Sequence, residues 1–416
     1  MSDICASCNL CSEEFREQRF KTMKEQYQAV DLSQFQYNFE EHSRPYSMLL
    51  SLTNNCNLAC KYCFVHQKPQ YMTYEIAEQS ILWLKQNYEA RKKTEKLNIV
   101  FFGGEPLLCY DDIIVPIVEK YKDIAEFSIT TNGVLLDEDK VDFFYKNKVH
   151  ILLSFDGVKA VQNKQRTGKN CNSYDEVIKN IPYLLLRFPD TTMRMTITKD
   201  SLPYLYDSVI LAQDMGFKNV TFTPNAYEEW DWNDAVIYED QLNKIGLHIY
   251  KHFFNHHDPV INVQPLQKTY TKISQSLYDN LKFNNTIMRC GLGTTSCAIC
   301  PNGDIVPCQE KTSNPTFILG NVFSGIDAKK HEEFLLWYID KISNFTCDRL
   351  CQSTKEGVHC LSNICPSRME DMNFKPSTSS CIFNRVTLRV SNRLFMQCYE
   401  NINPWMQDYF KERGKN

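Results

Sequence analysis

The sequence predicts an α/β fold with a parallel sheet, followed by a small cysteine-rich domain. Two observations lead to this prediction. Short β-rich runs alternate with amphipathic helical patterns from about residue 47 to 225, and cysteine, glycine and proline punctuation replaces that alternation after residue 290. Alternation of this kind is typical of a parallel sheet. Right-handed crossovers then allow an open doubly wound sheet or a partial barrel, and composition leaves both open.

Six runs rich in β-branched and aromatic residues are the predicted strands: Met48–Thr53, Asn98–Phe102, Phe127–Thr130, His150–Phe155, Met193–Thr198 and Asn219–Thr223. Helical patterns lie between them near residues 73–91, 111–124, 137–147, 174–187 and 203–215, and a further helix is predicted over 232–256. The predicted organisation is an N-terminal extension (1–46), the α/β part (47–230), a helical connection (231–284), the cysteine-rich domain (285–400) and a C-terminal tail (401–416).

Composition excludes several classes of protein. Of 416 residues, 43% are apolar and 23% charged, which is ordinary for a globular chain with a sizeable core. A net charge of −4 gives no general attraction to nucleic acid or an anionic membrane. The sequence lacks both the roughly 18 consecutive apolar residues of a spanning helix and an apolar signal peptide. We therefore expect a soluble, cytoplasmic protein with neither nucleic acid nor membrane as a partner.

The unusual feature is a set of 18 cysteines. In a reducing compartment, cysteines at short spacings indicate metal ligation or redox chemistry, whereas a disulfide framework would require export. Most of them fall into four groups: Cys5, Cys8 and Cys11; Cys56, Cys60 and Cys63; Cys290, Cys297, Cys300 and Cys308; and Cys347, Cys351, Cys360, Cys365 and Cys381. The first group is either an N-terminal metal site or a thiol-rich tail. The isolated Cys109, Cys171 and Cys398 are expected to be small buried apolar residues.

The second group follows the first predicted strand with the spacing C-x3-C-x2-C, formed by Cys56, Cys60 and Cys63. Three thiolates on one loop can hold three irons of a [4Fe–4S] cluster and leave the fourth iron without a protein ligand. Such an open position is what a reactive metal site requires. A structural zinc site is the alternative, with His66 as its fourth ligand.

This triplet, with Tyr62 before its last cysteine, resembles the signature of the radical S-adenosylmethionine (radical SAM) superfamily. The resemblance implies a partial (β/α)6 barrel, in agreement with the six predicted strands. It also implies that the open iron chelates the amino and carboxylate groups of SAM, and that an electron from the cluster releases a 5′-deoxyadenosyl radical. Cys56, Cys60 and Cys63 are then the catalytic and metal-ligating residues, and Tyr62 lies at the cofactor.

Three further motifs end predicted strands and match the same family: Gly103-Gly104-Glu105-Pro106, Thr130-Thr131-Asn132-Gly133, and Ser154-Phe155-Asp156-Gly157 with Arg166 downstream. Glycines at a strand end let the backbone approach a ligand closely, and a carboxylate there can accept from an ammonium group. Sites on parallel sheets collect at this end of the strands.

The resemblance assigns each motif to a part of SAM. Gly103, Gly104 and Glu105 would hold the methionine amino group, and Asn132 lies in the family's T-N-G turn. Ser154, Asp156 and Arg166 are associated with the ribose and other polar groups of the cofactor. Arg194, on the fifth predicted strand, is a candidate for the SAM carboxylate because arginine suits bidentate carboxylate recognition. An outward-facing, solvated Arg194 is the alternative.

The cysteines after residue 290 resemble the SPASM domain, which carries two auxiliary [4Fe–4S] clusters in peptide-modifying radical SAM enzymes. The spacing is C-x12-G-x4-C from Cys290 to Cys308, and the later spacings are longer than is usual in the family. The family pattern implies one cluster at Cys290, Cys308 and Cys365 with Cys297, Cys300 or neither as its fourth ligand, because some relatives leave one iron of this cluster open for substrate. It implies a second cluster at Cys347, Cys351, Cys360 and Cys381. Two zinc ribbons are the alternative to these clusters.

The residue after Cys308 bears on the substrate. Sulfatase maturases of this family carry an aspartate there, whereas this chain has Gln309, whose amide cannot accept a proton as a carboxylate can. The surrounding stretch resembles thioether-forming maturases of cysteine-rich precursor peptides. The resemblance implies a ribosomally made, Cys-containing peptide as substrate and a small electron donor such as flavodoxin or ferredoxin. Sulfatase maturation and a non-catalytic iron–sulfur electron-transfer protein are the alternatives.

Overall fold

The computed structural model describes residues 38–65, 69–92, 94–168, 172–255, 261–266, 291, 293–343, 383, 386, 387, 389–391, 393 and 394. Within them the strands are β1 (Ser47–Thr53), β2 (Leu58–Cys60), β3 (Leu97–Gly103), β4 (Ala125–Thr131), β5 (His150–Ser154), β6 (Arg166–Gly168), β7 (Thr192–Ile197), β8 (Asn219–Pro224), β9 (Asn262–Val263), β10 (Ser296–Ile299), β11 (Asp304–Val306), β12 (Gly320–Asn321) and β13 (Gly325–Ile326).

The α-helices of the same residues are α1 (Phe39–His42), α2 (Tyr74–Ala90), α3 (Val115–Tyr121), α4 (Glu138–Lys146), α5 (Lys159–Gln165), α6 (Ser173–Ile178), α7 (Ile181–Arg187), α8 (Leu205–Asp214), α9 (Trp232–Asn255) and α10 (Ala328–Ser343). Sequence-encoded caps begin several of them. The side chain of Thr73 accepts from the Ile76 amide at the start of α2, and that of Asp137 accepts from the Lys140 amide at the start of α4.

The order of the strands decides between the two predicted sheet types. The strands β1, β3, β4, β5, β7 and β8 are neighbours in chain order, and every one of these pairs is parallel. A doubly wound sheet reverses its order at a switch point, whereas this sheet proceeds in one direction. Successive right-handed crossovers therefore place the helices on one face. The predicted α/β class is confirmed, and the sheet has the winding of a partial barrel.

The two faces of the sheet differ in character. Side chains on one face, such as Leu50, Phe101 and Ile129, are fully buried in a core shared with the helices. The alternate residues, such as Thr130 and Ser154, are only partly buried. Because successive side chains of a strand point to opposite faces, this second face is turned away from the helix-packed core, and in a partial barrel that is the inner, concave side. Its polar character makes it the side on which a polar ligand can lie.

The sheet continues into the cysteine-rich part of the chain, a feature the sequence analysis missed. Strand β10 pairs in parallel with β1, with Met48 opposite Cys297, and β11, β12 and β13 follow by antiparallel pairing. Farther along, Phe383 packs on Tyr238 of α9 with ring centres 4.2 Å apart. Described parts of the predicted 285–400 domain therefore pack directly on the α/β part.

Two predicted helices differ from the observed ones. The single helix predicted over 174–187 is two helices, α6 and α7, because Pro182 has no amide to continue a helix and suits the first turn of a new one. The helix predicted over 111–124 begins as a 3-10 turn at Pro106–Cys109 and a π turn at Tyr110–Ile114 before α3. Among the described residues, no helix has the length and apolarity needed to cross a membrane.

Candidate functional site

The three cysteines of the C-x3-C-x2-C motif lie on the loop that leaves the carboxyl end of β1. Cys56 is buried, Cys60 is half-buried at the end of β2, and Cys63 is exposed. Burial raises the pKa of Cys56 to about 12 and that of Cys60 to about 11. Both are therefore neutral thiols at pH 7 in the metal-free chain, and metal binding must release their protons.

Nitrogen donors surround the sulfur of Cys56. The Leu58 amide lies 3.4 Å from the Sγ atom, and Nδ2 of Asn132 lies 3.6 Å from it. The same Asn132 amide group donates to Oδ1 of Asn57 at 2.8 Å. Hydrogen bonds to sulfur stabilise thiolate ligands and tune iron–sulfur clusters. The thiol set and its donors thus fit an iron–sulfur cluster, and Asn132 touches the cysteine loop itself.

The glycine pair of the G-G-E-P motif is required by the cysteine loop. A Cβ atom on Gly104 would lie 2.1 Å from the Asn55 carbonyl oxygen, and one on Gly103 would lie 2.4 Å from that of Thr53. The Gly104 amide donates to Thr53 O at 2.7 Å, and the Glu105 amide donates to Asn55 O at 3.0 Å. The end of β3 is therefore hydrogen-bonded against the three residues that lead into Cys56. The sequence analysis predicted that these glycines let the backbone approach a ligand. In the structure they let the end of β3 approach the backbone of the cysteine loop.

The Glu105 carboxylate is fully buried and already accepts three hydrogen bonds. Its donors are the backbone amide of Leu107 at 3.1 Å, the hydroxyl of Thr131 at 2.8 Å and the backbone amide of Asn132 at 2.8 Å. Burial raises its pKa to about 7 against the opposing effect of these donors. A carboxylate has about four acceptor positions, so one remains for an ammonium group. The contact with the methionine amino group stays a prediction.

Asp156 and Arg166 form a buried pair beside the cysteine loop. Arg166 Nη2 donates to Asp156 Oδ1 at 3.1 Å, and the phenol of Tyr62 donates to Oδ2 at 2.5 Å. The amide of Gln165 and the Thr196 backbone complete the carboxylate's donors, at 3.0 Å each. The predicted ribose contact of Asp156 stays a prediction, but these donors occupy its acceptor positions. The sequence analysis did not predict Gln165 as a donor to Asp156. Its position directly before Arg166 was the only sequence feature that could have indicated it.

A second, two-stranded sheet ties this pair to the cysteines. Strand β2 pairs with β6 so that Cys60 lies opposite Arg166, and the Lys61 amide donates to Gln165 O at 2.9 Å. On the other side of the loop, the ring of Phe64 stacks on that of Phe102 with centres 6.3 Å apart. The loop is thus held by backbone pairing on one flank and by an aromatic contact on the other.

Ser154 and Arg194 lie side by side on the concave face. They are register partners in β5 and β7, and Thr221 of β8 lies next to Arg194 in the same row. Met193 and Met195, which flank Arg194 in sequence, are buried on the helix side. The position of exposed Arg194 agrees with recognition of a ligand carboxylate. Its role stays a prediction, as does that of Ser154.

The structure describes three cysteines of the later groups. Cys297 is fully buried in the main core, whereas Cys300 packs in a separate small cluster with Ala298 and Val306. The Cys300 sulfur lies 3.4 Å from Thr312 O, in the turn that follows half-buried Cys308. Cys300 therefore lies near the turn that follows Cys308, while Cys308 itself packs against a third cluster that contains Leu319 and Phe334. Gln309, the residue after Cys308, begins that turn and is half-buried.

Several predicted ligands lie outside the described residues: Cys290, Cys347, Cys351, Cys360, Cys365 and Cys381, together with His66, Cys5, Cys8, Cys11, Cys171 and Cys398. Cys109, which is described, is buried as expected. Within the described part of the chain, no three His, Cys, Asp or Glu side chains are grouped as ligands of a single metal ion. The two auxiliary clusters stay predictions.

The sequence model of the Radical SAM superfamily matches residues 50–202. The radical SAM cyclopropyl synthase TigE of Paramaledivibacter caminithermalis is 25% identical over 48% of this chain and 46% of TigE. A cysteine-type anaerobic sulfatase-maturating enzyme of Clostridium novyi is 30% identical over 33% of this chain and 40% of the relative. The subtilosin biosynthesis protein AlbA of Bacillus subtilis is 20% identical over 78% of this chain and 66% of AlbA. The chain thus spans less than half of the first two relatives.

Two solved structures share the fold. Native anSMEcpe with bound AdoMet and Cp18Cys peptide matches with a TM-score of 0.65 and 19% identity, covering 86% of this chain and 100% of that chain. SuiB of Streptococcus suis bound to the precursor peptide SuiA matches with a TM-score of 0.51 and 16% identity, covering 82% and 81%. At such identities the comparison concerns the fold alone, and it agrees with the predicted barrel.

Proposed function

We propose that this chain is a peptide-modifying radical SAM enzyme that installs Cys thioether crosslinks in a ribosomally made precursor peptide. The match of residues 50–202 to the model of the Radical SAM superfamily supports this proposal. The family implies SAM and one [4Fe–4S] cluster as cofactors. The observation that carries the proposal is the loop with Cys56, Cys60 and Cys63, fixed at the carboxyl ends of the parallel strands. When bound, the cluster and SAM supply a 5′-deoxyadenosyl radical.

The chain's own residues have distinct tasks in this proposal. Cys56, Cys60 and Cys63 hold the cluster, and the side-chain amide of Asn132 donates to the sulfur of Cys56. The remaining acceptor position of Glu105 receives the ammonium group of the cofactor. Arg194 on the concave face receives its carboxylate, and Ser154 lies in the same row for its hydroxyl groups. These tasks are supported by the position of the charged and polar residues at one end of the sheet.

The relatives support a peptide as the substrate. AlbA, which aligns over 78% of this chain, is a bacteriocin biosynthesis protein, and the SuiB structure contains a precursor peptide. Sulfatase-maturating relatives favour a second candidate, formylglycine formation. Gln309 argues against that candidate because its amide cannot act as the base that the maturases are proposed to use. Two auxiliary clusters in the cysteine-rich part would accept the electron that leaves when the C–S bond forms.

The first experiment asks whether the chain cleaves SAM. The anaerobically reconstituted full chain is mixed with SAM and dithionite, and 5′-deoxyadenosine is quantified. We expect cleavage by the wild type and none by the triple variant Cys56→Ala/Cys60→Ala/Cys63→Ala. This variant should also lose the iron that is bound at these three cysteines. Cys109→Ala is the matched control, because Cys109 is buried beside Leu52 and is not part of the loop. Full iron content in the triple variant contradicts the assignment.

The second experiment separates the candidate reactions by the mass of the product. The test substrate is taken from the open reading frame next to the gene: a short Cys-rich peptide there favours the thioether maturase, and a sulfatase favours the second candidate. A thioether forms with loss of two hydrogen atoms for each crosslink, whereas formylglycine formation removes the sulfur of the cysteine. Loss of sulfur would favour sulfatase maturation. Absence of 5′-deoxyadenosine with every cluster in place would favour the electron-transfer protein.

A further inference from the structure

A buried ion pair lies between β5 and β6. The side chains of Asp156 and Arg166 are 1% and 8% exposed, and Arg166 Nε lies 3.1 Å from Asp156 Oδ2. A second contact joins Arg166 Nη2 to Oδ1, also at 3.1 Å. The Nη2 contact is a charge-assisted hydrogen bond, whereas Nε lies at ion-pair distance from Oδ2 without hydrogen-bond geometry. The pair is therefore an ordered interior element, unlike the solvent-exposed ion pairs of neighbouring helices.

Each partner reaches the cysteine loop by its own route. Asp156 accepts from the phenol of Tyr62, which lies between Cys60 and Cys63. Arg166 is the ladder partner of Cys60, and its guanidinium carbon lies 5.5 Å from the centre of the Tyr62 ring. Residues directly opposite in antiparallel strands project their side chains from the same face. The pair thus braces the Cys60–Cys63 segment through its backbone, ring and phenol.

The pair is also electrically balanced. Together the two side chains carry no net charge, but removal of either leaves the other buried and uncompensated. Both charges lie beside Cys60, because Arg166 is its ladder partner and Asp156 accepts from Tyr62, two residues farther along. Both charges therefore act on the position of a cluster ligand. Nearby charge is one of the factors that set the potential of an iron–sulfur cluster.

We propose that Asp156 and Arg166 are positioning residues that brace the Cys60–Cys63 segment and, by balancing each other's charge, set the reduction potential of the cluster held there. The inference rests on the proposed cluster at Cys56, Cys60 and Cys63. It gives the two residues a task different from the ribose contact that the family resemblance implies.

The test is a redox titration of the reconstituted full chain, followed by electron paramagnetic resonance. Arg166→Met leaves the Asp156 carboxylate unpaired and shifts the midpoint potential to more negative values, because the reduced cluster carries one more negative charge. Asp156→Asn leaves the guanidinium unpaired and shifts the potential to more positive values. The double variant restores neutrality, so its potential returns toward that of the wild type. Arg166→Lys keeps the charge and shifts the potential less than Arg166→Met.

Folding and local charge are controlled separately. In Arg166→Met the carboxylate keeps its donors Tyr62, Gln165 and Thr196, and circular dichroism checks that each variant is folded. Lys164→Met is the matched control: Lys164 lies two residues from Arg166, but its pair with Asp200 has side chains 55% and 57% exposed. Solvent screens such a charge, so its potential should equal that of the wild type.

The outcomes distinguish this inference from the proposed function. Shifts of opposite sign in the two single variants, with Lys164→Met unchanged, support it. Unchanged potentials, or shifts of the same sign, in folded and iron-loaded variants overturn it and leave the proposed function standing. A wild-type chain that binds no iron at these cysteines overturns both.

Discussion

The close approach of Gly104 to the cysteine loop gives a sharp test of how the site is assembled. In Gly104→Ala the added Cβ would lie 2.1 Å from the Asn55 carbonyl oxygen and 2.7 Å from its carbon. Both atoms are backbone, so no side chain can rotate away. The strand end and the loop must separate by roughly 1 Å for an ordinary contact, a displacement that packed interiors resist. That movement breaks the bonds that hold the approach to Cys56.

The expected loss of unfolding free energy in Gly104→Ala follows from overpacking. Insertion of one methyl group into a packed interior costs about 1–3 kcal/mol of unfolding free energy. Gly104 has an ordinary φ, so this cost is steric. Gly216→Ala is the matched control: Gly216 has a φ of +95°, but its added Cβ would meet only Leu185 Cδ1 at 3.6 Å. Its cost of about 1–2 kcal/mol comes from backbone strain alone, far from the cysteines.

The two variants should therefore lose similar stability but differ in iron. We expect urea unfolding of the metal-free chains to show comparable losses, and anaerobic reconstitution to load Gly216→Ala fully. Gly104→Ala should lose the iron bound at Cys56, Cys60 and Cys63, measured by iron analysis and visible absorption. Wild-type iron content in a folded Gly104→Ala would refute the idea that the glycine pair positions the loop.

Two further predictions concern ionisation and the later cysteines. The pKa of Glu105 is raised from 4.5 to about 7, so the folded chain binds this proton more tightly than the unfolded chain, and stability falls as pH rises through that window. Urea unfolding of the metal-free wild type should show a loss of roughly 3 kcal/mol that Glu105→Gln lacks, and identical pH profiles would contradict it. Cys300→Ala should lose auxiliary-cluster iron, whereas Cys297→Ala should keep its iron and lose about 1–2 kcal/mol of stability from a small cavity; the reverse pattern would make Cys297 the ligand.

The predicted strands agree with the observed ones because each buried strand of a parallel sheet is a short, contiguous run of apolar and β-branched residues that can be recognised locally. Each of the six predicted strands ends within about two residues of the observed ends. The pairing of β10 with β1 carries no such signal, because it joins Met48 to Cys297 across most of the chain. Strand β10 has only four residues, and glycines and cysteines interrupt the pattern around it.

The candidate site was predictable as a set of residues but not as a set of contacts. The strand-end motifs and their resemblance to the family identified Glu105 and Asp156, yet they could not tell whether the two carboxylates already had partners within the chain. In the structure Glu105 accepts from Thr131 and Asn132, and Asp156 accepts from Tyr62 and Arg166. A buried carboxylate requires such donors to offset its desolvation.

These internal bonds change what the motifs do. Each strand-end motif contacts the cysteine loop or a residue that holds it: the glycine pair through Thr53 and Asn55, Asn132 through the sulfur of Cys56, and Asp156 through Tyr62. A cluster can keep one iron open only if its three ligands are held without a fourth, so the loop must be rigid before any cofactor binds. Substitutions in these motifs should therefore lower iron content as well as SAM affinity. A motif that served SAM alone would leave iron content unchanged.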